Sequence, residues 1–267
     1  MSENINHPGT LLNFLQMDLK RAFLNWRFLS SAIVIWLLML LEILPIILHY
    51  GSSITWYYMF QYAESGEFQM VFYMCAVFPY ACAFLEDYQD GYGTFLLSRG
   101  VKKNYALSKC LAVIISACGV ILVAFSGFFV AMRFSFPDKA DRSVSSFIPY
   151  FYTSWLNAGN GFGYVFSRAM LTGFAAAMFG VIALTASVYL RDKLIICALP
   201  LLLFYLISDL SFLIKLPETI DLYVLMQGNP GIGSDIVNYL YSIGVFLLII
   251  LMVSKLFIKL VGERVWV

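Results

Sequence analysis

Six apolar stretches dictate what this chain can become: Phe28 to Tyr50, Met70 to Leu85, Cys110 to Met132, Phe166 to Leu190, Leu194 to Ile214 and Tyr239 to Val261. A bilayer core takes about 20 apolar residues to cross at a helical rise of about 1.5 Å each. Backbone N–H and C=O groups in lipid find no water, so runs of this kind must satisfy them internally, as helices. The expected fold class is all-α: a polytopic membrane protein of six transmembrane helices, with residues 1–267 as one transmembrane domain. The second run is the shortest and contains Pro79, which makes its boundary with Glu86 the least regular. Charged residues are 12% of the 267 against 61% apolar, too few to clothe a water-exposed surface. A net charge of +1 leaves no basic face for phosphates, which excludes nucleic acid as a partner.

Orientation follows from the bases beside each run. Lys20, Arg21, Arg27, Arg99, Lys102, Lys103, Lys109, Arg191, Lys193, Lys255, Lys259 and Arg264 fall on one side; Arg133, Lys139, Arg142, Arg168 and Lys215 fall on the other. The first side is read as cytoplasmic, with both termini. Before the first span, Thr10 is placed to cap a helix and Leu12, Leu15, Leu19, Phe23 and Trp26 recur at helical spacing. Residues 10–27 therefore read as an amphipathic helix in the cytoplasmic interface, in contact with membrane lipid. Two outer segments are longer than a connection needs. Residues 133–165 are dense in aromatic rings, as an outer interface belt is. Residues 215–238 hold a short apolar piece, Leu222 to Met226, followed by Gly and Pro, which reads as a short broken helix between spans five and six.

Chemistry is scarce. No phosphate-cradling GxxxxGK[ST] loop, no HExxH and no GxSxG occurs, so enzyme activity is not expected. Cys75, Cys82, Cys110, Cys118 and Cys197 show no CxxC spacing and read as packing residues, and no metal site is expected. Ionisable groups inside spans are costly, which makes each a functional candidate. Glu42 lies three residues before Pro45, whose ring releases the carbonyl of Leu41, and both are candidates for a substrate path or gate. Asp209, near the outer end of the fifth span, is a weaker candidate that reads as an acid at the headgroups. In the fourth span Ala169, Gly173, Ala176, Ala177, Gly180 and Ser187 form a small-residue face, a helix-packing seam with its partner left open.

The densest charge sits in residues 86–109, EDYQDGYGTFLLSRGVKKNYALSK. Phe95, Leu96 and Leu97 beside Arg99, Lys102 and Lys103 suit a short helix in the groove of a cytosolic partner, with charges setting the register. The order Glu86, Gly93, Thr94, Leu96, Leu97, Arg99, Tyr105, Ser108 and Lys109 resembles the permease subunits of ABC exporters of the type-2 family. Over the rest of the chain that resemblance is architectural. It implies a coupling helix at 86–109 docking on a separate ATP-binding cassette subunit, which would hold the ATP and Mg, with no cofactor in this chain. It further implies a second permease copy or paralogue, and a bacterial plasma-membrane location. The expected function is export of an amphipathic or hydrophobic substrate such as a peptide, antibiotic or lipid-like molecule. The alternative is a membrane immunity, sensor or accessory protein that transports nothing.

Overall fold

A computed structural model of the chain describes residues 11–50, 54–91, 102–136 and 160–263, and these are helical with short turns. In chain order the helices are α1 (Leu11–Phe23), α2 (Trp26–Tyr50), α3 (Trp56–Ser65), α4 (Gln69–Val77), α5 (Ala83–Gln89), α6 (Lys102–Ser135), α7 (Gly161–Ala186), α8 (Lys193–Ile214), α9 (Leu222–Gln227) and α10 (Asp235–Glu263). Five of them, α2, α6, α7, α8 and α10, are long and apolar enough to cross a membrane.

The Met70 to Leu85 run does not form one helix. It divides into α4 and α5 around a turn at residues 78–82. Pro79 has no N–H to donate back to Cys75 and its ring crowds the preceding turn, so the helical ladder stops there. Tighter contacts take over, with the N–H of Tyr80 and of Ala81 both donating to the carbonyl of Val77. The 86–109 segment is also more helical than a loop. α5 runs on to Gln89, and α6 starts at Lys102, eight residues ahead of the expected third span. Continuing the helix through Lys109 keeps its backbone groups paired where that stretch is packed between neighbours.

α7 is the axis of the bundle. In its most apolar window 78% of the residues are buried, against 17% for α8. The small-residue face of α7 meets α6 of the same chain: a Cβ on Gly173 would lie 3.3 Å from the Cα of Cys118, and one on Gly180 would lie 2.7 Å from a methyl of Val113. Close backbone approach of this kind is how helices gain dispersion energy in lipid, where apolar burial alone gives no preference. An aromatic cluster fills part of the core where α3, α6 and α7 meet. Phe60 of α3 lies edge-on to Phe125 of α6 (5.5 Å) and to Tyr164 of α7 (6.1 Å).

The outward faces are apolar as well. Leu37, Leu41, Leu44 and Leu48 on α2, and Leu202, Leu206 and Leu213 on α8, all point away from the core. A water-soluble bundle of this size does not expose such continuous patches; a bundle solvated by lipid does. The chain is a membrane protein.

α1 packs against α6 on a face the heptad-like leucine stripe did not indicate. Its buried residues are Phe14, Asp18 and Ala22, whereas Leu12, Phe23 and Trp26 of the stripe are exposed. The helix thus has an apolar outer face and an inner face organised around a carboxylate. The short α9 lies between α8 and α10. Asp221 caps it by accepting from the N–H of Tyr223 (2.8 Å) and the hydroxyl of Ser211 (2.6 Å).

Candidate functional site

Where α1, α5 and α6 meet, the fold buries three charges, Asp18, Asp87 and Lys109, with a fourth, Arg21, at the exposed edge. Lys109 has no exposed surface. Its ammonium lies 2.9 Å from Asp18 Oδ1, 2.7 Å from Asp87 Oδ2 and 3.0 Å from the Tyr80 hydroxyl. It sits over the rings of Tyr80 (5.1 Å) and Tyr105 (5.4 Å), so aromatic faces complete its surroundings. Arg21 reaches Asp87 Oδ1 at 2.8 Å. Tyr105 donates to Asp87 Oδ2 at 2.8 Å, and the hydroxyls of Tyr80 and Ser108 donate to Asp18.

Two carboxylates and two bases make the cluster neutral, which is the condition for keeping ionised groups out of water. Asp87 lies two residues beyond the apolar run. Its carboxylate takes Arg21 on one oxygen and Lys109 on the other. The break at Pro79 has a local consequence here, because it turns Tyr80 onto Asp18 and Lys109. Beside the cluster, Glu86 pairs with Arg27 of α2 (2.7 Å) and reaches Lys193 of α8 (3.6 Å). One end of the bundle therefore ties α1, α2, α5, α6 and α8 together through ions.

The sequence-derived site residues divide in three. Glu86, Tyr105 and Lys109 are brought together at this end, but Tyr105 and Lys109 are interior and unable to touch a partner directly. Gly93, Thr94, Phe95, Leu96, Leu97 and Arg99 lie outside the described residues. Glu42 is half-buried in α2; Pro45 lies within the same helix with its ring outward; Asp209 is on the exposed side of α8. Asp18, Arg21 and Asp87 were missed. A usable signal existed in the Phe14, Asp18, Ala22 spacing, which sets an acid on an otherwise small or apolar stripe.

A second buried ion pair closes the opposite end. Arg168 of α7 donates from Nε to both Glu64 oxygens (3.0 and 2.9 Å) and from Nη1 to the carbonyl of Gln227, at the end of α9 (2.7 Å). Thr172 donates to Glu64 as well (3.1 Å). Gln227 in turn donates to Gln69 of α4 (3.2 Å), so α3, α4, α7 and α9 share one polar network. This network was not foreseen either; Arg168 entered the sequence reading only as an outer-side base.

Between α2, the α3–α4 turn, α8 and α9 lies a cavity of about 570 Å³, lined among others by Glu42, Tyr62, Glu67, Phe204, Tyr205 and Tyr223. Glu42 Oε1 accepts from the N–H of Glu67 (3.1 Å). Its carboxyl rests on Gly66, where a Cβ would fall 2.2 Å from Glu42 Cδ. Gly66 is needed for space rather than for an unusual backbone angle, since its φ is −74°.

No family model, curated protein or solved structure matches this chain.

Proposed function

We propose that this chain is the transmembrane subunit of an exporter of the ABC type-2 permease class, driven by a separate ATP-binding subunit. The observation that carries the reading is the buried trio of Asp18, Lys109 and Asp87, with Arg21 on its exposed edge. It clamps α1 to both helices that flank residues 92–101, the centre of the proposed coupling segment. A displacement of that segment by a nucleotide-driven partner would move α1, α5 and α6 as one rigid body. The partly exposed pairs of Glu86 with Arg27 and Lys193 add weaker ties to α2 and α8. Mobile surface side chains would dissipate such a displacement; buried ionic contacts do not.

In this reading α4 and α5 together make the sixth crossing, bent at Pro79. α1 lies in the cytoplasmic interface of the plasma membrane with its exposed Leu12, Met17 and Phe23 in lipid, and both termini are cytoplasmic. A second copy or paralogue covers part of the exposed apolar face. The cargo is amphipathic or hydrophobic, and alternating exposure follows from two arrangements of the bundle selected by the partner's nucleotide state.

The test is transport in inside-out membrane vesicles containing this chain with its partner ATPase. ATP should drive uptake of a hydrophobic substrate, and a non-hydrolysable analogue should not. In Lys109→Met vesicles hydrolysis should continue while uptake falls. Uptake that is indifferent to nucleotide, or no uptake of any hydrophobic substrate, would remove the proposal in favour of a non-transporting accessory protein.

A further inference from the structure

Four acids packed between these helices face cations, and two that line a cavity do not. Asp18 and Asp87 face Lys109 and Arg21, Glu86 faces Arg27 and Lys193, and Glu64 faces Arg168. Asp221 uses its carboxylate to cap α9 and to hold Ser211. Glu42 and Glu67 are different: among the described residues neither has a basic partner, and the residues lining their cavity include no Lys, Arg or His. An acid that stays within an apolar helix without a cation carries an unmet electrostatic demand.

The rest of the lining is chemically specific. Tyr62, Phe204, Tyr205 and Tyr223 contribute aromatic faces, and all three tyrosines keep more than a third of their surface exposed. Phe204 is held by rings on two sides, Tyr73 (5.5 Å) and Tyr223 (6.1 Å), so this wall is set before anything binds. Aromatic faces attract cations by their quadrupole, and their bodies bury apolar surface. The volume of about 570 Å³ falls within the range for small organic ligands, about 300–1,000 Å³. Gly66 leaves room for the Glu42 carboxyl, since a Cβ there would fall 2.2 Å from Glu42 Cδ and displace it.

We propose that the cavity between α2, the α3–α4 turn, α8 and α9 binds a hydrophobic organic cation, with the Glu42 carboxylate on its charge and the Tyr62, Phe204, Tyr205 and Tyr223 rings around its apolar body. This deepens the transport reading by naming a cargo class and rests on it only for the word cargo; binding itself needs no ATPase. Glu67 adds a second negative charge at the rim, and Asp209, which does not line the cavity, takes no part.

The experiment measures equilibrium binding of tetraphenylphosphonium to the purified full-length chain in lipid nanodiscs, with tetraphenylborate as its anionic counterpart of nearly equal shape. Empty nanodiscs supply the partitioning background. The cation should bind saturably and the anion should not. Glu42→Gln, which keeps an oxygen for the Glu67 N–H, should weaken the cation about tenfold, as loss of one partly desolvated charge contact does. Gly66→Ala should weaken it similarly while leaving the charge count unchanged, and Asp209→Asn should bind as the parent does. Equal binding of cation and anion, or a Glu42→Gln protein of parental melting temperature and parental affinity, overturns the proposal. Vesicle transport separates the two readings. Saturable, Glu42-dependent binding without any nucleotide-driven uptake leaves the site standing and removes the exporter. Nucleotide-driven export of a neutral substrate, unaffected by Glu42→Gln, leaves the exporter standing and removes the site.

Discussion

Lys109→Met is the perturbation whose size the structure sets most directly. Methionine is close to lysine in length and volume, so packing changes little and the loss is electrostatic. Lys109 touches both buried acids, Asp18 at 2.9 Å and Asp87 at 2.7 Å. Without it Asp87 still has Arg21 at 2.8 Å, but Asp18 keeps only the hydroxyls of Tyr80 and Ser108. Truncating one member of a buried ion pair costs about 3–5 kcal/mol, because the remaining charge is stranded. That is a large share of a domain's net stability of about 5–15 kcal/mol. Adding Asp18→Asn removes the stranded charge, so the double variant should be more stable than the sum of the singles by about 1–3 kcal/mol. Reversible unfolding in mixed detergent micelles, with the three variants and the parent, gives the cycle. A single-variant loss below about 1 kcal/mol, with strictly additive singles, is the behaviour of a solvated surface pair. It would refute the argument that this cluster is interior and interlocked.

Two further outcomes follow from other contacts. Glu64→Gln takes a buried carboxylate away from the Arg168 guanidinium; it should cost about 3 kcal/mol or more in the same unfolding assay. The sulfurs of Cys82 and Cys197 lie 3.5 Å apart, bringing the start of α5 against the first turns of α8. Mild oxidation with copper phenanthroline should therefore cross-link them within one chain. A protease cut between the two positions followed by non-reducing electrophoresis should show the joined fragments in the parent and separated ones in Cys82→Ser.

The helices were legible because lipid leaves an apolar backbone no alternative, and the length of a run is then a direct measure of its role. Pro79 also showed in the sequence that the second run was irregular, though only the structure shows that the interruption turns Tyr80 onto a buried ion cluster. The helix-packing face of α7 could be read from residue size alone. Its partner could not, since Gly173 gives no sign that Cys118 lies opposite. Charge was the least legible property. Asp18 and Lys109 are separated by 91 positions, and Glu64 and Arg168 by 104. Pairing over such separations is decided by tertiary packing rather than by local pattern. Lys109 illustrates the difference: in the sequence it marked the end of a charged loop, and in the fold it is the most deeply buried charge of the cluster.

The central claim is that this bundle is moved by an engine it does not itself contain. Gentle solubilisation of membranes expressing the tagged full-length chain, followed by affinity capture and a nucleotide-hydrolysis assay on the eluate, tests it most directly. The account predicts a nucleotide hydrolase recovered in a fixed ratio to this chain, and lost when Phe95, Leu96 and Leu97 are replaced together by alanine. Recovery of the chain alone, or only with further copies of itself, would contradict it.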